Sequence, residues 1–339
     1  MKIAMICGSW PPERCGIGDY SEALCRALEV QNVEIIRIRR DNWHLTSALS
    51  YRAQLRASRA DIHHVQYPAV GYGRSILPAL TPYLLSSVPS AVTLHEYEIF
   101  KAYRKPWFAP YARKSLTRIF SRTAERDAFA AAFPRRVGTD HILPIGSNIP
   151  VATTDASREK GSIVFFGLFW PGKGLEDFLE LARLLRANGQ SHRRLSILGA
   201  PVAGQEAFAA HLRKETGRLA IDLHEGLPAD EVATFLSKHE YAYLPFPDGA
   251  DERRGTLAAA LVNGCIPITR HGPATPDWLK AATLPADTPL SASVLFSGPT
   301  AVVSDKSYLE KPIAAAAARY DWAEIAQKHI EIYETLLNE

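Results

Sequence analysis

Short apolar runs alternate with amphipathic helical stretches along nearly the whole chain, and the alternation stops once and then restarts. KIAMIC has the length of a strand, and Asp19–Leu28 carries helical spacing. VEIIRI follows as a strand, Tyr51–Ser58 as a helix, then DIHHVQ and SAVTLHE as strands. Strands separated by helix-length crossovers predict βαβ units and a parallel sheet. Residues 138–160 are rich in Gly, Pro, Ser and Thr and read as a linker. Beyond them the strands SIVFFG, RLSILG, LAIDLHEG, YAYLPF and CIPIT alternate with helices. Those helices are Leu175–Ala187, a stretch near 204–215, ADEVATFLSKH and GTLAAALVNG, and DWAEIAQKHIEIYETLLNE closes the chain as an amphipathic helix. A chain of 339 residues has room for two ordinary domains. The fold class predicted is therefore α/β, with two doubly wound domains in tandem.

Composition narrows the function classes. No run reaches the roughly 18 apolar residues of a membrane span, and the apolar stretch after Met1 is too short for a signal-peptide core. The four cysteines form no C-x-x-C pair and read as reduced thiols of a cytoplasmic protein. Residues 1–150 hold 20 Lys and Arg against 12 Asp and Glu, a balance of +8; residues 151–339 hold 19 against 24, a balance of −5. The basic first half is expected to face something anionic.

Candidate sites fall at strand ends. GLFWPGKG, residues 167–174, joins a strand to a helix and nearly spells a Walker phosphate loop, but Gly174 stands where the magnesium-binding hydroxyl belongs. Gly16-Ile17-Gly18, after Pro11-Pro12, opens a helix whose N-terminus favours negative charge. His95 ends the strand SAVTLHE, where an imidazole can bond a ligand hydroxyl or a phosphate. His63 and His64 alternate across a strand, so one of them at most faces a ligand. Arg253 and Arg254 precede Gly255-Thr256 at a helix start, a bidentate cation beside free backbone N–H groups. The stretch 101–126 interleaves cations with Tyr, Trp and Phe; it reads as a solvated helix face over core aromatics or as a contact with an anionic membrane. No nucleic-acid-binding motif accompanies it.

WPPERCGIGDYSEAL, PIGSN and the strand–GLFWPGKG–helix resemble, in order and spacing, the nucleotide-sugar glycosyltransferases of the GT-B type, and most closely the retaining family 4. The resemblance covers nearly the whole chain. It implies an N-terminal acceptor-side domain at 1–150, a nucleotide-sugar-binding domain at 151–315, and a closing helix at 316–339 that crosses back to the first domain. It implies sugar transfer to a carbohydrate or lipid-linked acceptor with retention, in glycan, polysaccharide or glycolipid biosynthesis. Neither a metal nor a cofactor is expected, and the sequence holds no Asp-x-Asp. Gly16, Gly18, Gly167, Lys173, Arg253, Arg254, Gly255 and Thr256 would bind the donor. Catalysis would rest on Lys173 at the departing diphosphate, with His95 and Glu252 positioning the sugar. The expected location is cytoplasmic, with peripheral contact at the inner membrane face. Two positions depart from the family pattern: Leu168 stands where an arginine is usual, and Ala259 where a glutamate binds the ribose. These departures keep open a degenerate GT-B protein that binds without turnover. A sugar-nucleotide epimerase or a phosphorylase is a further alternative.

Overall fold

The computed structural model describes residues 1–13, 15–98, 100–113, 115–153, 157–297 and 306–339. Lys114 of the basic stretch and 154–156 of the linker lie outside the described residues. The chain forms two compact units, Met1–Gly146 together with Trp322–Glu339, and Ser147–Asp321.

The N-terminal unit runs β1 (Lys2–Ile6), α1 (Gly16–Val30), β2 (Glu34–Ile38), α2 (Ala48–Ser58), β3 (Ile62–Tyr67), α3 (Thr81–Leu84), β4 (Ser90–Leu94), α4 (Ala109–Arg113), β5 (Thr117–Phe120), α5 (Thr123–Ala132) and β6 (Thr139–Ile142). Its sheet is parallel, in the order β2-β1-β3-β4-β5-β6. Every residue of β3 and β4 is buried, as expected of central strands covered by helices on both faces.

The C-terminal unit runs β7 (Glu159–Phe169), α6 (Leu175–Ala187), β8 (Leu195–Pro201), α7 (Glu206–Arg218), β9 (Asp222–Glu225), α8 (Ala229–Ser237), β10 (His239–Leu244), α9 (Gly255–Val262), β11 (Ile266–Thr269), α10 (Asp277–Ala281), β12 (Leu284–Pro285), α11 (Pro289–Val294) and α12 (Ser307–Tyr320). Its parallel sheet has the order β12-β11-β10-β7-β8-β9, so strand order reverses between β7 and β10. Leu175, Phe178, Leu179, Ala182 and Leu185 form the buried stripe of α6.

The last helix, α13 (Trp322–Asn338), belongs to the N-terminal unit. It packs on α1 and joins the core through Ile325, Ala326 and Tyr333. Burying Ile325 alone contributes about 1.5–3 kcal/mol. Gln31 Nε2 donates to Ala323 O at 2.7 Å and fixes the start of the helix against the end of α1.

Three details differ from the sequence reading. The stretch 138–160 holds β6 and the first two residues of β7, so it is not irregular throughout. Ser147–Pro150 sit with the C-terminal unit, where the Ser147 amide donates to Tyr320 O at 2.9 Å. Residues 316–320 end α12, which packs on α9 and α10 of the C-terminal unit, and the returning helix starts only at Trp322.

Candidate active site

In open α/β sheets ligands sit beyond the carboxyl ends of the strands where strand order reverses. In the C-terminal unit those ends are Phe169 of β7 and Leu244 of β10. After β7 the chain makes a tight turn: the Lys173 amide donates to Trp170 O at 3.3 Å, Pro171 sits second, and Gly172 has φ +73°. This is the pattern of a type II turn, which needs a glycine at its third position. Gly174 then opens α6 at φ +96°, and a Cβ there would lie 2.7 Å from Pro245 Cγ. Both glycines are thus explained by backbone geometry. Lys173 projects from the last position of the turn and is exposed.

After β10 a loop leads into α9. Arg253 donates to Asp251 through Nη2 at 2.7 Å and Nε at 3.2 Å. Burial alone would raise the Asp251 carboxyl; the hydrogen bonds from Arg253 and the charges of both arginines overcome this and hold it below the usual carboxylate range. Arg254 stacks over Phe246, 4.8 Å from the ring centroid, and reaches Gly249 O at 3.3 Å. Its buried Nε makes no hydrogen bond among the described residues and lies 3.7 Å from Asp251 Oδ1 as an ion pair. The α9 N-terminus has no side-chain cap and no acidic residue in its first turn, so its positive end is uncompensated.

The two loops meet on one cavity of about 870 Å³. Gly167, Lys173, Arg253, Arg254, Gly255 and Thr256 all line it, so the structure brings six of the sequence-predicted residues together. Leu168 and Trp170 line it too, both exposed, and Asp248 is the one carboxylate among the described lining residues. A smaller slot of about 300 Å³ shares Gly167, Leu168 and Thr256 and extends to Gly199, Gly226, Leu227 and Val232. The sequence reading missed Gly199 and Gly226. The signal was there, since SILG and HEG both end a strand in glycine. Gly199 has room for nothing larger: a Cβ would meet Gly167 O at 1.8 Å.

Glu252 is half-buried on the same loop but does not line the cavity, and its carbonyl accepts the Tyr320 hydroxyl at 3.4 Å. Ala259 is fully buried in the core under α9.

The remaining candidates lie in the N-terminal unit. A Cβ at Gly18 would meet Ser9 O at 2.7 Å, so packing explains that glycine. Gly16 is exposed at the first position of α1. A Cβ there would meet nothing within 4 Å, and φ is not positive, so the fold does not require glycine at that position. His95 follows β4, and its amide donates to Tyr67 O at 2.7 Å. Its ring is 3% exposed, edge-on to Tyr20 at 4.9 Å, with Nε2 bonded to Gln66 Oε1 at 3.0 Å. Burial pushes its pKa down to about 3, so the imidazole is neutral. His63 and His64 are both fully buried, so neither side of β3 presents a histidine at the surface.

The basic stretch is not one helix. It folds as a 3₁₀ turn, α4, β5 and the start of α5. Phe108, Tyr111, Leu116 and Phe120 are core residues, and Arg118 is fully buried on Asp140 at 2.6 Å. Among the described residues no helix is long and apolar enough to cross a membrane.

No family model matches the chain, and no curated protein matches it. Solved structures do. The chain superposes on Anabaena Alr3699/HepE in complex with UDP with a TM-score of 0.64 at 13% identity, over 99% of this chain and 100% of that one. Sucrose-phosphate synthase from Thermosynechococcus elongatus gives 0.60 at 14%, over 100% and 99%. AviGT4, a glycosyltransferase involved in avilamycin A biosynthesis, gives 0.58 at 15%, over 100% and 98%. The chain therefore has the two-sheet α/β architecture of GT-B glycosyltransferases. At such identities the likeness concerns the fold.

Proposed function

We propose that the chain is a glycosyltransferase that moves a sugar from a nucleoside diphosphate donor to an acceptor hydroxyl. The observation that carries this reading is the gathering of Lys173, Arg254, Gly255 and Thr256 on one cavity at the strand-order reversal. Its volume of about 870 Å³ suits a ligand of that size. The diphosphate lies against Lys173, the Arg254 guanidinium and the first N–H groups of α9. These groups neutralise the charge that grows on the diphosphate as the sugar departs. The glycine-floored slot beside them takes the nucleoside. Arg253, already held by Asp251, plays the smaller part.

Retention follows from attack on the face that the diphosphate leaves. The acceptor oxygen bonds to the anomeric carbon, the bond from that carbon to the phosphate oxygen breaks, and the acceptor proton passes to the departing phosphate. Asp248, on the exposed rim, is the one carboxylate lining the cavity among the described residues, which supports a step without an enzyme nucleophile. Fixed cations supply the charge compensation, which supports transfer without a metal. A second reading, binding without turnover, draws on Leu168 and Ala259, the two departures from the family pattern.

Calorimetry with UDP-, GDP-, ADP- and dTDP-sugars, beside a turnover assay, tests both. One donor is expected to bind. Arg254→Ala should weaken that binding about 100-fold, the scale of a lost charge-assisted hydrogen-bonding cation, and Arg253→Ala several-fold less. Equal affinity in wild type and Arg254→Ala would sink the donor site. Tight binding without product would favour the second reading.

A further inference from the structure

The slot of about 300 Å³ and the cavity of about 870 Å³ are lined in common by Ile149, Phe166, Gly167, Leu168 and Thr256. With the base in the slot and the diphosphate against Lys173 and Arg254, the ribose that links them lies at this junction. Ile149, Phe166 and Leu168 present hydrocarbon there, Gly167 presents backbone, and Thr256 offers the single side-chain hydroxyl. Beyond the junction the slot walls are aliphatic or glycine, among them Leu198, Leu227 and Val232.

A ribose carries two adjacent hydroxyls, and a carboxylate can accept from both. A buried group of that kind makes the hydroxyls obligatory, because an analogue without one leaves the group unpaired. No described residue supplies such a group at the junction. Glu176 accepts from the Gly172 amide at 3.0 Å, and Glu225, at the end of β9, is held by Arg213 through two bonds of 2.7 Å. Asp251 is taken up by Arg253. Asp230 and Glu231 in the first turn of α8 line a separate pocket with Thr234 and Phe235, while Val232 beside them faces the slot. Ala259, one turn into α9, is buried in the core and lines neither space. Asp248 lines the cavity but not the slot. Thr256 is half-buried, so water can replace a ribose hydroxyl that it loses.

We propose, resting on the donor reading above, that this site does not require the ribose 2′-hydroxyl and takes 2′-deoxyribonucleoside diphosphates as well as ribonucleoside diphosphates. Removing the hydroxyl costs at most the one neutral hydrogen bond that Thr256 can make, about tenfold in affinity. Apolar walls do not penalise its removal at all. The ligand class is thereby widened to nucleoside diphosphates of either pentose, read through the base and the diphosphate.

Calorimetry on the full chain tests this with matched pairs that differ in one atom: UDP and 2′-deoxy-UDP, GDP and 2′-deoxy-GDP, ADP and 2′-deoxy-ADP, beside inorganic pyrophosphate. For the base that binds, the 2′-deoxy member is expected to be as tight as its partner, tighter, or weaker by no more than about tenfold. Arg254→Ala should weaken both members by the same factor, as two ligands of one site, and pyrophosphate should bind more weakly than either. A 2′-deoxy member weaker by clearly more than tenfold overturns the proposal and leaves the donor site standing. Unequal weakening by Arg254→Ala, or pyrophosphate as tight as the nucleotides, also overturns it, since the nucleosides would then not share the slot. Binding by none of the nucleotides would end the donor reading, and this inference with it.

Discussion

At the carboxyl ends of β7 and β10 the C-terminal unit sets a lysine and two arginines on an open cavity, whereas the N-terminal unit buries neutral histidines within β3 and just after β4. Charge balance along the sequence points the other way, since the first 150 residues carry the positive excess. Ion pairing takes up cations in both units. In the N-terminal unit Arg37 is held by Glu22 and Glu29, Arg118 and Arg136 by Asp140, and Arg122 by Glu98 and Glu125. In the C-terminal unit many acidic side chains are likewise consumed by Arg183, Arg194, Arg213 and Arg218. Lys173 makes no ion pair among the described residues. Net charge along the sequence does not report which cations are paired: at the cavity Arg253 and Arg254 both lie on Asp251, whereas Lys173 does not.

Acid should separate the two units most strongly. Burial holds His63 and His329 down to about 4 and His95 to about 3; for His64 burial acts first and the neighbouring His329 and His95 add to it. Below pH 6.5 the unfolded chain takes up protons that the native unit refuses. Stability from these groups is complete above 6.5 and falls toward pH 4, by about 1.4 kcal/mol per pH unit for each group. Among the histidines of the C-terminal unit with a resolved shift, His239 and His271 are lowered. Hydrogen exchange read unit by unit at pH 7 and pH 4.5 should show the N-terminal unit losing protection first. Equal loss in both units breaks the contrast.

Gly174→Ala comes next in size. With φ +96° and Pro245 in the way, it should cost the C-terminal unit about 1–3 kcal/mol in denaturant unfolding. Gly172→Ala has open space and only the backbone penalty, about 1 kcal/mol. A Gly174→Ala protein no weaker than Gly172→Ala would show that the Pro245 contact does not constrain the loop. The smallest effect is expected in the N-terminal unit, where Gly16→Ala should change stability by less than about 0.5 kcal/mol and Gly18→Ala by about 1 kcal/mol or more. Thermal unfolding of the pair checks this, and the reverse order would overturn the assignment of Gly18 to packing.

The strand–helix alternation was readable because buried parallel strands are continuous apolar runs. The six cavity residues were readable because glycine turns and cations are local signals. What escaped was whatever breaks the apolar signal. β5 reads TRIF and carries a fully buried arginine that its partner Asp140, far along the chain, makes tolerable. β6 reads TDHI, an edge strand only half covered. α12 is alanine-rich with Pro312 inside, so it lacks a clear apolar stripe. The burial of both His63 and His64 escaped as well, since nothing in a sequence window shows that Tyr333 will come to meet His64.

The return of α13 to the first unit has a consequence for biosynthesis. Residues 147–321 are contiguous and can finish folding while the ribosome is still adding the C-terminus, but the unit begun at Met1 must wait for Ile325, Ala326 and Tyr333 before its interior is closed. Until then Tyr20 of α1 lacks the Trp322 ring that packs on it. The usual vectorial order, in which the first-made half folds first, is inverted here, and a stop codon that removes only the final helix would damage the half of the protein synthesised earliest.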